Sequence, residues 1–357
     1  MNTVLNIGLT DAKEIKSQPM FLGEPLGLQR YDVVKYPIFR DLYKKQQEFM
    51  WRPEEISLKE DRNNYEELTE AQREVFEKNL MFQTMGDSMF SRSIDEIKKY
   101  VTNTELEYAM NCWSFMENVH SESYSYVLDN ISKSPKEFFD RILKDNEIVY
   151  RAKEMKDDFD SLIGLPEEDK SVKEKVFRSI LNFQIAEGVM FYVSFACSFW
   201  FGSQGIMTGN ADIIKLIARD ENLHQSITQN IISNWRKNES EGFQKVVKDN
   251  EQLIYDTYGM AVENEKRWAR YLFAEGSLIG LNPEILGGYS EWLANNRLRS
   301  LGYDQIFDTT SNPIGGWLSQ YTDSSKVQVA PQERERTAYR KNHIKSDFDD
   351  DLEKFEF

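Results

Sequence analysis

Four stretches of this chain carry apolar residues at helical spacing, and each is interrupted by an acid where the period calls for a core residue. In the first Glu-x-x-His stretch the stripe runs Leu106, Met110, Trp113, then Glu117, His120 and Tyr124, then Val127 and Ile131. In the second it runs Ile214, Ile217, then Glu221 and His224, then Ile227 and Ile231. Asp87 follows Leu80 and Thr84 and precedes Phe90 on one face, and Glu187 lies between Phe183 and Phe191 in a strongly apolar run. Residues three and four apart share a helical face, so each Glu-x-x-His can aim a carboxylate and an imidazole at one point. An ionised carboxylate is costly to bury unless it is paired or binds a metal. A fold that satisfies all four stripes must therefore bring these acids together around positive charge.

Asp87, Glu117, Glu187 and Glu221 supply four carboxylates, and His120 and His224 supply two imidazoles. Two divalent cations would neutralise that set. One carboxylate from each of two helices, with a Glu-x-x-His from each of two others, is close to the donor pattern of ferritin-like dimetal bundles. Oxygen and nitrogen donors without cysteine suit iron or manganese better than structural zinc. One Glu-x-x-His alone says little, because glutamate is common on solvated helix faces and a buried histidine usually serves as a hydrogen-bonded core residue. The weight lies in two such pairs, both on apolar stripes, joined by two further acids in apolar helices.

The rest of the chain reads as helix. Helical patterns cover 37–50, 70–98, 104–130, 135–160, 171–201, 210–236, 241–273 and 283–300, with breakers such as Pro53, Pro135, Gly209 and Pro283 between them. Good strand candidates are scarce. The expectation is an all-α fold: a ferritin-like helical bundle with additional helices, over residues 36–321. An irregular N-terminal arm, 1–35, precedes it. A flexible C-terminal tail, 322–357, follows it, rich in charge and without a sustained apolar period.

Lys and Arg number 44 against 60 Asp and Glu, a net charge of −16, which disfavours direct nucleic-acid binding. The two cysteines, Cys112 and Cys197, lie inside apolar helical patterns, so a reducing cytoplasm is the natural compartment. The N-terminus carries no basic-then-apolar signal pattern. The most apolar run, Val189 to Phe201, falls short of the roughly 20 residues that span a bilayer, so no membrane role is expected.

Five stretches carry a resemblance: QQEFMWRPEE from Gln46, FMENVHSESY from Phe115, FYVSFACSF from Phe191, LIARDENLH from Leu216 and VQVAPQE from Val327. They resemble the small, radical-generating subunit of class I ribonucleotide reductase, from about Pro19 to the C-terminus. The resemblance implies an oxidoreductase subunit of ribonucleoside-diphosphate reductase, serving deoxyribonucleotide synthesis and DNA replication as a homodimer. It implies Asp87, Glu117 and His120 as ligands of one metal and Glu187, Glu221 and His224 as ligands of the other. Iron is the favoured metal, with manganese or a mixed centre left open. Tyr124 matches the tyrosine that holds the radical, and Phe191, Phe195 and Ile217 match the apolar pocket around it. Trp51 and Asp220 match the pair that links the site to the surface. Tyr339 and Glu333 match tail residues that couple the radical to a separate large subunit, the partner engaged through the tail.

The chain departs from the family pattern at Gly86, before the Asp87 ligand, where an irregular helix is expected. It departs again at Gly188 and Met190 beside Glu187, and in a short loop over Gly164–Lys170. Another ferritin-like oxidase, such as an acyl-carrier-protein desaturase, or an iron-storage bundle are the alternatives. The oxidase has no use for Tyr339 or the acidic-aromatic tail, and storage does not need Trp51, Asp220 or a radical tyrosine.

Overall fold

The computed structural model describes residues 3–322. Glu333, Tyr339 and all of the expected tail beyond Thr322 lie outside the described residues. Among the described residues fourteen α-helices follow one another: α1 (Ala12–Ser17), α2 (Pro37–Glu48), α3 (Lys59–Glu67), α4 (Glu70–Lys98), α5 (Thr104–Ile131), α6 (Pro135–Ile142), α7 (Asn146–Asp160), α8 (Val172–Ile185), α9 (Phe191–Ser203), α10 (Thr208–Lys237), α11 (Gln244–Asp249), α12 (Glu251–Leu272), α13 (Pro283–Leu301) and α14 (Gly315–Thr322). Among the described residues the only β pairing is two isolated bridges, Phe21 with Val101 and Leu278 with Leu281.

Local chemistry sets the ends of the long helices. The Thr69 hydroxyl accepts from Gln72 N while Gln72 reaches back to the Thr69 backbone, a capping box that starts α4. Asn103 caps α5 through Leu106 N, and Asn282, followed by Pro283, caps α13. Gly302, at φ 82°, ends α13 in the left-handed conformation that glycine adopts without steric cost.

Helix α10 begins differently. Its N-cap is Met207, a non-glycine residue at φ 50°, whose side chain offers no acceptor. The cap comes instead from α3. Asp61 Oδ2 accepts from Gly209 N at 3.0 Å and Oδ1 from Asn210 N at 2.7 Å. Asn64 Oδ1 accepts from Met207 N at 3.1 Å. Sequence patterning gives no hint of α3, since it has no apolar stripe; its one buried residue is Asp61.

Four helical runs close a ring: α4 packs on α5 and α9, and α10 packs on α5, α8 and α9. The run from α8 to α9 is broken by a π turn, Ala186–Met190, in which Phe191 N reaches back to Ala186 O. A single expected helix over 171–201 is thus two helices around one wider turn. Two other expected helices also divide. The 135–160 pattern breaks before Asp145, whose side chain caps α7, and 241–273 breaks at Asn250. Helix α4, by contrast, runs without irregularity through Gly86.

The run Val172–Ser203 is long and apolar enough to cross a membrane by length and composition, and its apolar window is wholly buried. Its apolarity is that of a core helix surrounded by other helices. The N-terminal arm is tied down where it meets the bundle. Met20 N donates to Glu241 Oε2 at 2.8 Å, and Phe21 packs on Trp235. Cys112 and Cys197 are both buried free thiols.

Candidate metal centre

The ring of helices encloses the interrupted stripes. Asp87 comes from α4, Glu117, His120 and Tyr124 from α5, Glu187 from the π turn, and Asp220, Glu221 and His224 from α10. Asp87, Glu117, His120, Glu187, Glu221 and His224 are all 0% exposed. Their ligand atoms form two groups, each within 4.8 Å: Asp87, Glu117, His120 and Glu221, and Glu117, Glu187, Glu221 and His224. Glu117 and Glu221 belong to both. The resemblance assigned each of them to one metal; the geometry sets both between the two positions as candidate bridges.

The polar accounting at this point is abnormal. Both oxygens of Asp87, both oxygens of Glu187, Glu117 Oε2, Glu221 Oε1, His120 Nδ1 and His224 Nε2 are buried without a hydrogen-bond partner. Buried polar groups in native proteins are almost always partnered, so eight such atoms around one point call for a missing electrophile. Four carboxylates match the charge of two divalent cations, and the donors are hard or borderline. The residues present fit a dimetal site.

The protonation pattern has the same origin. Burial, then the charge of Glu117, pushes Asp87 well above the carboxylate range, and burial with Glu221 does the same to Glu187. Burial also raises Glu117, but the adjacent His120 and His224 imidazoles prevail and hold it at about 2. Burial lowers His120, but the Asp220 carboxylate on Nε2 and the nearby Glu117 and Glu221 carboxylates outweigh it and raise the imidazole well above its usual range. Protons held on the imidazoles and on Asp87 and Glu187 thus take the place of cations in balancing the charge.

Outer partners orient the donors. His120 Nε2 lies 3.3 Å from Asp220 Oδ2, and that same oxygen accepts from Trp51 Nε1 at 2.7 Å. With Nε2 turned toward Asp220, Nδ1 faces the cluster, 3.2 Å from Glu221 Oε1. The Trp51 and His120 rings stack at 6.4 Å. Trp113 was read from sequence only as core; it donates from Nε1 to Glu117 Oε1 at 2.9 Å and stacks on the His224 ring at 5.1 Å. Its position one turn before Glu117 on the same stripe was the available signal.

Tyr124 is 0% exposed, and its Oη has no hydrogen-bond partner. Burial and then the charge of Asp87 raise its phenol well above the ordinary range. Phe191, Phe195 and Ile217 lie in the same buried core, with Phe191 stacked on Phe195 at 5.6 Å. Gly86 admits Phe191 beside the Asp87 ligand: a Cβ at 86 would sit 3.0 Å from Phe191 Cζ.

The sequence profile described as "Ribonucleotide reductase, small chain" matches residues 30–313. The chain belongs to the ribonucleotide reductase small-chain family. It is 38% identical over 361 residues to ribonucleoside-diphosphate reductase 1 subunit beta of Escherichia coli O157:H7, covering 95% of this chain and 96% of that one. It is 32% identical to the beta subunit of Enterobacteria phage T4, covering 98% and 97%. Among solved structures, the ribonucleotide reductase R2 subunit from Clostridium botulinum superimposes with a TM-score of 0.77 at 29% identity, over 85% of this chain and 94% of that one. The family and the all-α ferritin-like architecture expected from sequence both hold. The desaturase-like and storage readings are set aside, because these relatives are ribonucleotide reductase beta subunits over nearly their full length.

Proposed function

We propose that this chain generates and stores a tyrosyl radical on Tyr124 and passes the oxidising equivalent to a separate large subunit that reduces ribonucleotides. The observation that carries this reading is the buried, unpartnered Tyr124 Oη one helical turn from His120, beside the orphaned carboxylates. Asp87, Glu117, His120, Glu187, Glu221 and His224 would hold two metal ions, with Glu117 and Glu221 shared. Those ions, once bound and exposed to dioxygen, supply an oxidising strength that no side chain possesses. Iron is proposed over manganese, because the sequence resembles the iron-using branch more closely.

The chain's own groups do the remainder. Oxidising a phenol removes an electron and a proton, and Asp87 is the carboxylate whose charge bears most on Tyr124. Phe191, Phe195 and Ile217 would wall the phenoxyl off from water and reductants. Trp51, Asp220 and His120 form a continuous contact chain from the α2–α3 connection to the cluster, suited to moving an electron, with one Asp220 oxygen facing both rings. The tail would complete the route, with Tyr339 as relay and Glu333 assisting. Phe348, Leu352, Phe355 and Phe357 punctuate the acidic end, and the spacings of four from Phe348 to Leu352 and three from Leu352 to Phe355 would place anchors on one side of a short helix docked on the large subunit. A homodimer in the cytoplasm is part of the same proposal.

Electron paramagnetic resonance after aerobic loading with Fe(II) alone tests the centre: a tyrosyl signal is expected, and its absence with iron but presence with manganese would reverse the choice of metal. Removing residues 348–357 should abolish large-subunit binding while leaving that signal intact. An equally tight complex after truncation would refute the docking role.

A further inference from the structure

The π turn that carries Glu187 is gripped from outside by two arginines. Arg151, from α7, is 2% exposed and forms a forked pair with Glu265 of α12, Nε to Oε1 at 2.8 Å and Nη2 to Oε2 at 2.5 Å. Its Nη2 also donates to Met190 O at 3.1 Å, and its plane lies over the Phe82 ring at 3.5 Å. Arg297, half-buried on α13, donates from Nε to Gly188 O at 3.1 Å. Carbonyls inside a regular helix are already engaged by the ladder, so two guanidinium contacts within five residues mark the wider turn as held by its surroundings. Gly188 leaves room for a neighbouring side chain from α10. A Cβ there would lie 1.9 Å from Nε2 of Gln225, the residue after His224.

A buried ion pair is often no more stabilising than apolar residues of the same volume. The Arg151–Glu265 pair therefore calls for a role beyond packing, and its spare donor ends on the backbone of the turn that aims a metal ligand. We propose that Arg151 and Arg297 are positioning residues for Glu187, setting its reach toward the metal position it shares with His224. This rests on the dimetal reading of the site. Losing a grip on one ligand weakens one metal position, whereas losing a general packing contact weakens both together with the fold.

The test titrates Mn(II) into the metal-free, full-length chain, with unbound ion counted from its own paramagnetic resonance signal. The parent should bind two ions per chain; fewer would overturn the dimetal reading and this proposal with it. Arg297→Met is expected to weaken one ion by about tenfold and leave the other unchanged, the effect typical of losing an outer partner. Arg297→Lys, which can still donate to Gly188 O, should recover part of that loss. Arg151→Lys keeps the charge opposite Glu265 but gives up the planar fork, and should weaken the same ion. The double replacement Arg151→Met with Glu265→Leu, which leaves no lone buried charge, should weaken it too. On a Glu187→Ala background Arg297→Met should add nothing, because both changes act through one carboxylate. Equal weakening of both ions, unchanged affinities, or full additivity with Glu187→Ala would each overturn the assignment.

Discussion

Asp61 and the acids of the metal centre are equally buried, yet they are satisfied in opposite ways. Asp61 is 1% exposed, and each oxygen takes a backbone N–H from the start of α10. Asp87 and Glu187 are 0% exposed, and none of their four oxygens has a donor. The first arrangement is complete within the chain, so it serves the fold. The second is complete only with cations, so its stability must depend on what is bound. Burial of an acid does not distinguish the two; the count of donors does.

The largest effect should separate them by metal. Free ion about a thousandfold above Kd stabilises by about 4 kcal/mol per site. Calorimetry of metal-free and loaded protein should therefore show a large rise in Tm, and an unchanged Tm would break the contrast. Raising the pH should widen the gap. Asp87, Glu187, His120 and His224 are all raised in the metal-free fold, so the folded chain binds more protons than the unfolded one. Metal-free stability should then fall as the pH rises above the ordinary carboxylate range, and further as it rises above the ordinary imidazole range. Glu117, lowered to about 2, adds stability that is already complete above the ordinary carboxylate range. Metal binding displaces the held protons, so the gain from metal grows over the same interval. Parallel pH profiles for the two forms would contradict this.

Asp61→Ala should cost about 1–2 kcal/mol, the usual loss for an N-cap, in denaturant unfolding. It should leave two ions bound per chain. Loss of an ion in this variant would mean that the α10 start and the metal centre are not independent.

The smallest stability change should come from Tyr124→Phe. Its hydroxyl has no partner to lose, so unfolding should shift by no more than about 0.5 kcal/mol. The tyrosyl signal should vanish while metal stoichiometry is kept. A tyrosyl signal that survives would place the radical on another of the chain's tyrosines.

Much of this was legible in the chain because it is local. The 3.6-residue period placed Glu117, His120 and Tyr124 on one face and Glu221 with His224 on another, and the limits of α4 were read to the residue. Splits at Asp145 and Asn250 were missed, because apolar periodicity continues through a short break while capping side chains decide where the ladder stops. Helix α3 was missed because its purpose is to present one acid to another helix, and it has no stripe of its own.

By itself, the sequence determined the helices, the donor types and the charge that two cations would balance, since period and composition act over neighbouring residues. Only the tertiary structure decided that Glu117 and Glu221 belong to both groups of candidate ligands, because sharing depends on how four helices close a ring. It alone revealed the π turn under Glu187 and the grip of Arg151 and Arg297 upon it. An extra residue in a helical turn leaves no mark in apolar spacing, and it is held by partners more than a hundred residues away in one case and 39 in the other.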